Sequence, residues 1–548
     1  MVITAVWGFI SLVPYSSMAE GRGEHFHWAD EVAVELESRG GSHVVETGTS
    51  ISGVPHIGNA SDVIRGDAVR KVLAERGVDV KLIWIADDGD PFRKTPKGIE
   101  SLHKYLGFPV YDIPDPHGCH KNFVEHFAKP FVEDLNSFGV RPKVYSSLEL
   151  YRSGKLLPEI RVALAKRSEI ASILNQFRKE PLGSDFIPWN PICEKCGKIS
   201  TTKAVSIEGD LIKYVCSDVE VSDSPVRGCG HKGVSDIKKG SGKLPWRVEW
   251  AARWHHFKVT CEPFGKEHAT LGGSYDTSSI ISKNIFNWQP PHPVVYEFFT
   301  LNVEKISSSK GNVITLSDWL AICEPEVLKF FMYKRLQKQR DIKLDMIPNL
   351  VDEYDQGERI YFDLEEESAE SEDRLKRMYL LSQVGDPQLL QIPFTLCAVL
   401  AQLPNVYFKR VSERLEAMGY ERFSMKRLEN RVRVAGNWAV RFAPEHLRFT
   451  ILENPKEVSV LIDSKHAEAL SALAEEVEKQ LTPEAFHKVI YQTARRLGLE
   501  PNSLFEAIYH ALIKKEKGPK AAALILSLDR DFVKKRFKIG RASCRERV

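Results

Sequence analysis

Two short segments about 250 residues apart carry the residue types that phosphate chemistry needs. His56-Ile57-Gly58-Asn59 closes a Gly/Ser-rich loop and opens a helical pattern. A helix N-terminus offers free N–H groups and the positive end of a dipole, which suits an anionic phosphate. Gly58 has no Cβ to hold a nucleoside off the backbone. His56 can donate a hydrogen bond to a phosphate oxygen as charge builds in a transition state. The second segment, residues 305–312, reads KISSSKGN. Lys305 and Lys310 supply point charges for phosphates, and Ser307 and Ser309 supply hydroxyl donors. Alone, either segment is an ordinary turn or a solvated loop; together, in this order, they suggest one nucleotide site. A third group is Cys193, Cys196, Cys216 and Cys229, which crowd into one segment while the other cysteines are scattered. Four soft ligands in two pairs suit tetrahedral zinc. His231 competes with Cys229 for the fourth place, and Cys229 is preferred.

Positioning these groups takes a scaffold, and its pattern is α/β. Residues 43–47, HVVET, read as a strand, followed by the loop 48–59. Val63, Ile64, Val69 and Leu73 then recur at helical spacing up to Gly77, and VDVKLIWIADD runs into a second strand. Strand, loop, helix, strand predicts a parallel sheet with a right-handed crossover. Ligands then sit at the carboxyl ends of the strands, where the loops 48–59 and 86–95 lie. Residues 120–180 read as helices. Residues 188–245, Gly-rich and cysteine-bearing, read as an inserted module with short strands. Residues 246–320 return to α/β patterning, and 350–538 are helical, as LLQIPFTLCAVLAQL and EALSALAEEVEKQL show. Near the end, Lys514, Lys515, Lys517 and Lys520 form a basic cluster, followed by Arg530, Lys534, Lys535 and Arg536.

Bulk properties agree with a multi-domain soluble protein. Of 548 residues, 43% are hydrophobic and 27% charged, enough for a large core without staples. The net charge of +2 points to no polyanionic partner by itself, so local patches must do that work. The cysteine pattern argues against a disulfide framework. Residues 2–17 are apolar but lack Lys and Arg, unlike a secretory signal, and are too short to span a bilayer. Met18 is the expected start, and residues 1–25 are expected to lie outside the fold. Ile539 to Val548 reads IGRASCRERV, the frame translation of a common sequencing adapter, and is expected to be an assembly artefact. A cytoplasmic location, without a membrane, is the expectation.

The paired motifs resemble the HIGH and KMSKS signatures of class I aminoacyl-tRNA synthetases. More closely, the chain resembles the class I lysyl-tRNA synthetases. The resemblance runs from about 26 to 538 through HWADEVA (27–33), SGVPHIGN (52–59), DDGDPFRKTP (87–96), IPDPHGCHKNFVEHF (113–127), WRVEWAARWHHF (246–257), EPFGKEH (262–268), GGSYDT (272–277), YEFF (296–299), APEHLRFTIL (443–452) and KGPKAAALILSLDRDFVKKRF (517–537).

The resemblance implies a Rossmann-type catalytic domain over 26–320. Within it, at about 150–245, lies a zinc-ribbon-like connective module that grips the acceptor end of tRNA. A connecting region at 321–355 and an all-α anticodon-binding region at 356–538 follow. The implied reaction joins lysine and ATP as lysyl-adenylate, with magnesium accompanying the ATP, and then transfers the lysyl group to the 2′-hydroxyl of the terminal adenosine of tRNA(Lys). The implied zinc is structural and the implied state a monomer.

For the lysine pocket the candidates are Gly48, Thr49, Trp250, His268 and Tyr296, with Asp88, Glu249 and Glu297 as partners for the ammonium. The sequence departs from the usual pattern at Ile51, Asn59, Gly89 and Ser308. Asn59 and Ser308 are tolerated in the lysine branch, and Lys310 can supply the charge that Ser308 lacks. Ile51 and Gly89 bear on the shape of the amino-acid pocket. Three other readings compete. Another class I synthetase, such as one for glutamate, would share both motifs. A small nucleotidylyltransferase would lack the Ser-rich loop and the helical half. A non-catalytic synthetase-like tRNA-binding protein would not need His56, Gly58 and Lys305.

Overall fold

The apolar runs that open the chain become neighbouring parallel strands, His43–Thr49 and Val80–Ala86, in register from His43 opposite Val80 to Thr49 opposite Ala86. The structure, a computed structural model, describes residues 27–222, 224–305, 313–404, 408–452, 462–479 and 481–545. The central sheet has the order His292–Tyr296, Cys261–Gly265, His43–Thr49, Val80–Ala86, Lys143–Ser146, with every pair parallel. From His43–Thr49 the chain adds two strands on one side, then returns to add two on the other. The reversal falls between His43–Thr49 and Cys261–Gly265, and the crevice beyond the carboxyl ends at such a point is where ligands bind in open α/β sheets.

Both faces of the sheet are covered, as a parallel sheet requires. Val45, Leu82, Trp84 and Val294 join one buried cluster, while Val44, Tyr145, Phe264 and Val295 face a second. The helix Ile57–Glu75 packs close to the sheet through Gly66. A Cβ there would lie 3.0 Å from Leu82 and 3.1 Å from Thr47.

One strand departs from the sequence expectation. Residues 120–180 read as wholly helical, but Lys143–Ser146 forms the edge strand of the sheet between the helices Phe123–Ser137 and Ser147–Arg152. Four residues, none of them buried, are too few to show a period of two.

The cysteine module stands on a two-stranded base, Asn190–Pro191 against Gly242–Lys243. Above it are a three-stranded antiparallel sheet, Thr202–Glu208, Leu211–Cys216 and Lys232–Asp236, and the hairpin Val219–Val221/Ser224–Val226. Beyond Ile347 the described residues form helices and no strands. The first core cluster continues from the sheet into this half as far as Phe537. An ion-pair network ties the two together: fully buried Arg431 meets Glu324 at 2.6 Å and Asp355 at 2.7 Å. Among the described residues no helix is long and apolar enough to cross a membrane.

Candidate active site at the sheet's switch point

A cavity of about 620 Å³ opens at the reversal of strand order. Gly48 and Thr49 bring one strand end to it, Phe264 and Gly265 a second, and Tyr296 a third. His56, Gly58 and Asn59 line it from the N-terminus of the helix Ile57–Glu75.

That N-terminus is organised by the two polar residues of the motif. His56 Nδ1 accepts from the Gly58 N–H at 3.0 Å, and the His56 N–H donates to Asn59 Oδ1 at 3.1 Å. Asn59 therefore completes a capping box, a role that explains its short amide side chain. Gly58 makes room for the imidazole, because a Cβ there would lie 2.7 Å from the ring. Burial lowers the His56 pKa to about 4, so the ring is neutral at pH 7. With Nδ1 accepting, its proton sits on Nε2, which leaves one N–H to donate. The Ile57 N–H donates to the Ile314 carbonyl at 3.0 Å. Ile314 lies two residues after the Ser-rich segment 305–312, so its downstream flank is fastened to this helix end. Ser307, Ser309, Lys310 and the side chain of Lys305 lie outside the described residues. The backbone of Lys305 closes a short pairing with Thr300.

All five residues predicted for the amino-acid pocket, Gly48, Thr49, Trp250, His268 and Tyr296, line the same cavity. Trp250 packs edge-on to His268 at 5.7 Å between ring centres. The three predicted ammonium partners do not line it. Asp88 is buried and accepts from the Leu148 N–H at 2.8 Å. Glu249 is buried against Lys243, 2.6 Å away. Glu297 accepts from Lys266 at 2.8 Å.

Other carboxylates face the cavity, and sequence reasoning missed them. Asp87 pairs with Arg253, which also holds Glu46. Asp90 pairs with Lys243. Glu262 accepts from the indole N–H groups of Trp250, at 2.8 Å, and Trp254. Burial pushes Glu262 well above the usual carboxylate range. Asp62 differs: it accepts from the Tyr296 hydroxyl, and among the described residues it forms no ion pair. Burial raises its pKa to about 7. The Arg65 guanidinium lies 4.0 Å from the centre of the Tyr296 ring and fixes that ring from behind. The signal available for Asp62 was its spacing: it lies three residues after Asn59, on the same helix face.

The four module cysteines converge. Their sulfur atoms all lie within 4.8 Å of one another, with Cys193–Cys229 at 3.6 Å and Cys196–Cys216 at 3.7 Å. A zinc–sulfur bond of about 2.3 Å makes the edge of a tetrahedron about 3.8 Å, so the spacing fits zinc. His231 turns away, its Nε2 2.8 Å from Glu194. A second set escaped the sequence reading: Asp115, Cys119, His120 and His126 also place one ligand atom each within 4.8 Å of the others. Its signal was the spacing D-x3-C-H-x5-H inside residues 113–127. One oxygen, one sulfur and two nitrogens likewise suit a tetrahedral metal.

A doubly covered parallel sheet, with a capped helix N-terminus at its switch point and a second loop fastened to that helix, defines a nucleotide-binding α/β enzyme. Comparison with known proteins narrows the class. The family model described as "tRNA synthetases class I (K)" matches residues 26–385. The chain is 38% identical over 537 residues to a lysine–tRNA ligase of Methanosphaera stadtmanae, covering 94% of this chain and 99% of that one. It is 38% identical over 538 residues to that of Methanocaldococcus jannaschii, with the same coverage. The enzyme of Archaeoglobus fulgidus is 35% identical over 516 residues, covering 93% and 99%. The chain belongs to the lysine-type class I tRNA synthetases.

Proposed function

We infer that this chain is a lysine–tRNA ligase, which activates lysine with ATP and passes the lysyl group to the terminal adenosine of tRNA(Lys), at its 2′-hydroxyl. The observation that carries this reading is that the His56 motif, Trp250, His268 and Tyr296 line one cavity, while the Ile314 carbonyl accepts from the Ile57 N–H beside the His56 motif.

Adenylate formation joins a carboxylate oxygen to the α-phosphorus of ATP and expels pyrophosphate, so it needs alignment and charge stabilisation rather than a protein nucleophile. The helix N-terminus and the neutral His56 Nε2–H meet the negative charge on the phosphates. Lys305 and Lys310 act on the same charge from the second loop, with the hydroxyls of Ser307 and Ser309 as further donors. Magnesium travels with ATP, held mainly by phosphate oxygens and water. Trp250 and His268 flank the aliphatic stem of lysine, and Gly48 and Thr49 form the floor. Asp62 and the Tyr296 hydroxyl receive the ε-ammonium, since among the described residues Asp62 is paired with no cation or indole, unlike Asp87, Asp90 and Glu262, and unlike Glu267 it is held by the Tyr296 hydroxyl. The two tetrahedral ligand sets hold structural zinc, which closes the module and the 113–127 loop. The protein acts as a monomer.

ATP–pyrophosphate exchange scanned over all amino acids, with and without tRNA, tests the reading. Exchange with lysine alone is expected. Exchange with a different amino acid, such as glutamate, or with none under either condition, refutes it.

A further inference from the structure

The aromatic wall of the amino-acid pocket needs a support that the adenylation chemistry does not itself explain. The helix Trp246–Phe257 carries Trp246, Trp250 and Trp254 at intervals of four, so the three indoles share one face. Successive ring centres lie 5.0 Å apart. Phe264, on the strand Cys261–Gly265, stands 5.6 Å from Trp250, and Tyr275 stands 5.7 Å from Trp254.

Glu262 precedes Phe264 by two residues on the same strand, so both side chains point to the face that meets this helix. An aliphatic residue suits a position among buried rings, because a carboxylate there gives up its hydration. Glu262 is nevertheless buried, only 4% exposed. Both of its oxygens are engaged: Oε1 accepts from the Trp250 indole N–H at 2.8 Å, and Oε2 accepts from that of Trp254.

A buried indole needs only a neutral acceptor. Trp189 donates to the Ser235 hydroxyl, and Trp319 and Trp438 donate to the carbonyls of Glu324 and Leu344. A charged acceptor makes a bond about twice as strong, and here one carboxylate joins two neighbouring rings. Glu262 and Trp250 both line the cavity at the switch point. The strong acceptor therefore stands at the ring that walls the pocket, not at rings of the general core.

We propose that Glu262 is a positioning residue for lysine: it clamps the Trp250 and Trp254 indoles together and so fixes the plane of Trp250 against the substrate's aliphatic stem. This rests on the reading that the cavity activates lysine. A wall held in one orientation orders a flexible stem without having to be ordered itself at each binding event. Without the clamp, two indoles must be immobilised whenever lysine enters, which corresponds to about 5- to 150-fold in the KM for lysine.

The test uses the full-length enzyme carrying Glu262→Met, Trp250→Phe, or both, in steady-state aminoacylation with each substrate varied. Glu262→Met keeps the volume and removes both acceptors. It is expected to raise the KM for lysine by that factor, to leave the KM for ATP within about twofold, and to weaken the near-UV circular dichroism of the tryptophans. Trp250→Phe keeps an aromatic wall but removes the N–H that Glu262 holds. The double variant is therefore expected within about twofold of the worse single variant, because both changes break one and the same bond. If Glu262→Met does not fold, Glu262→Gln replaces it; its amide N–H2 group opposes one of the two indole N–H groups, and a rise of about 2- to 10-fold in the KM for lysine is expected. An unchanged KM for lysine in the folded variant, an equal rise for ATP, or a double variant whose loss is the product of the two single losses overturns the proposal. If the wild-type enzyme charges no tRNA with lysine, the parent reading fails instead, so the two failures are distinguishable.

Discussion

Replacing Asp62 by Asn isolates the proposed ammonium contact. The change keeps size and hydrogen-bonding capacity and removes only the charge. Asp62 accepts from the Tyr296 hydroxyl, which Arg65 fixes from behind, so the surroundings stay in place. A hydrogen bond to a charged group is worth about 1.5–3 kcal/mol, which converts to about 10- to 150-fold in kcat/KM for lysine. The KM for ATP should move less than about threefold, because the proposed phosphate contacts are those of His56 and the second loop. Tyr296→Phe removes one neutral donor and should cost about 2- to 10-fold on the same axis. The pH profile adds a second signature. Burial raises the Asp62 pKa to about 7, with Arg65, Tyr296 and Glu267 as the groups that face it. An acid with a raised pKa carries its charge only above that value, so kcat/KM for lysine should fall about tenfold per unit below pH 7. Glu46 also titrates near 7, but its partner is Arg253. The part of the fall that vanishes in Asp62→Asn belongs to Asp62. Steady-state aminoacylation with each substrate varied, from pH 5.5 to 8.5, checks all of this. Equal effects on lysine and ATP, or the same acid limb in variant and wild type, would refute the assignment.

Three further outcomes follow from the same geometry. Elemental analysis of the purified protein should find about two zinc ions per chain, with Cys196→Ser and His126→Ala each removing one and His231→Ala removing none, since His231 faces Glu194. His56→Ala should lower the rate of adenylate formation about 10²- to 10³-fold in single-turnover assays. Because burial holds the His56 pKa near 4, its neutral donor form persists above that pH, and the wild-type rate should show no step from this residue between pH 6 and 8. Arg431→Met leaves Glu324 and Asp355 buried without their cation and should cost about 3–5 kcal/mol in chemical denaturation, whereas adding Glu324→Gln and Asp355→Asn should restore most of it.

Much of this arrangement was legible from the residues. The apolar runs HVVET at 43–47 and VDVKLIWIADD at 78–88, with a helical period between them, announce a parallel pair whose carboxyl ends must hold any ligand. The His56 and Lys305 segments gain meaning from that placement, because a helix start after a strand is where an anion binds. Local pattern fails where the deciding contact is long-range. Lys143–Ser146 is too short and too exposed to show its period, and the neighbouring sheet alone makes it a strand. Asp88, Glu249 and Glu297 are acidic residues near the right loops, but each is consumed by a local partner that spacing does not reveal. Asp62 looks like an ordinary polar position on a helix until Tyr296, 234 residues later, is seen to donate to it. Asp115, Cys119, His120 and His126 carry a readable spacing, but their mixed chemistry lacks the paired-cysteine form that marks the other set.

The central claim is that one cavity holds lysine by its ammonium at Asp62 and Tyr296 and the nucleotide phosphates at His56. A crystal structure with a non-hydrolysable lysyl-adenylate analogue tests it most directly. The ε-nitrogen is expected within hydrogen-bonding distance of both Asp62 and the Tyr296 hydroxyl, and the phosphate mimic beside His56 Nε2 at the start of the helix Ile57–Glu75. An ammonium bound instead by Asp87, Asp90 or Glu262, with Asp62 still facing only Tyr296, would contradict it.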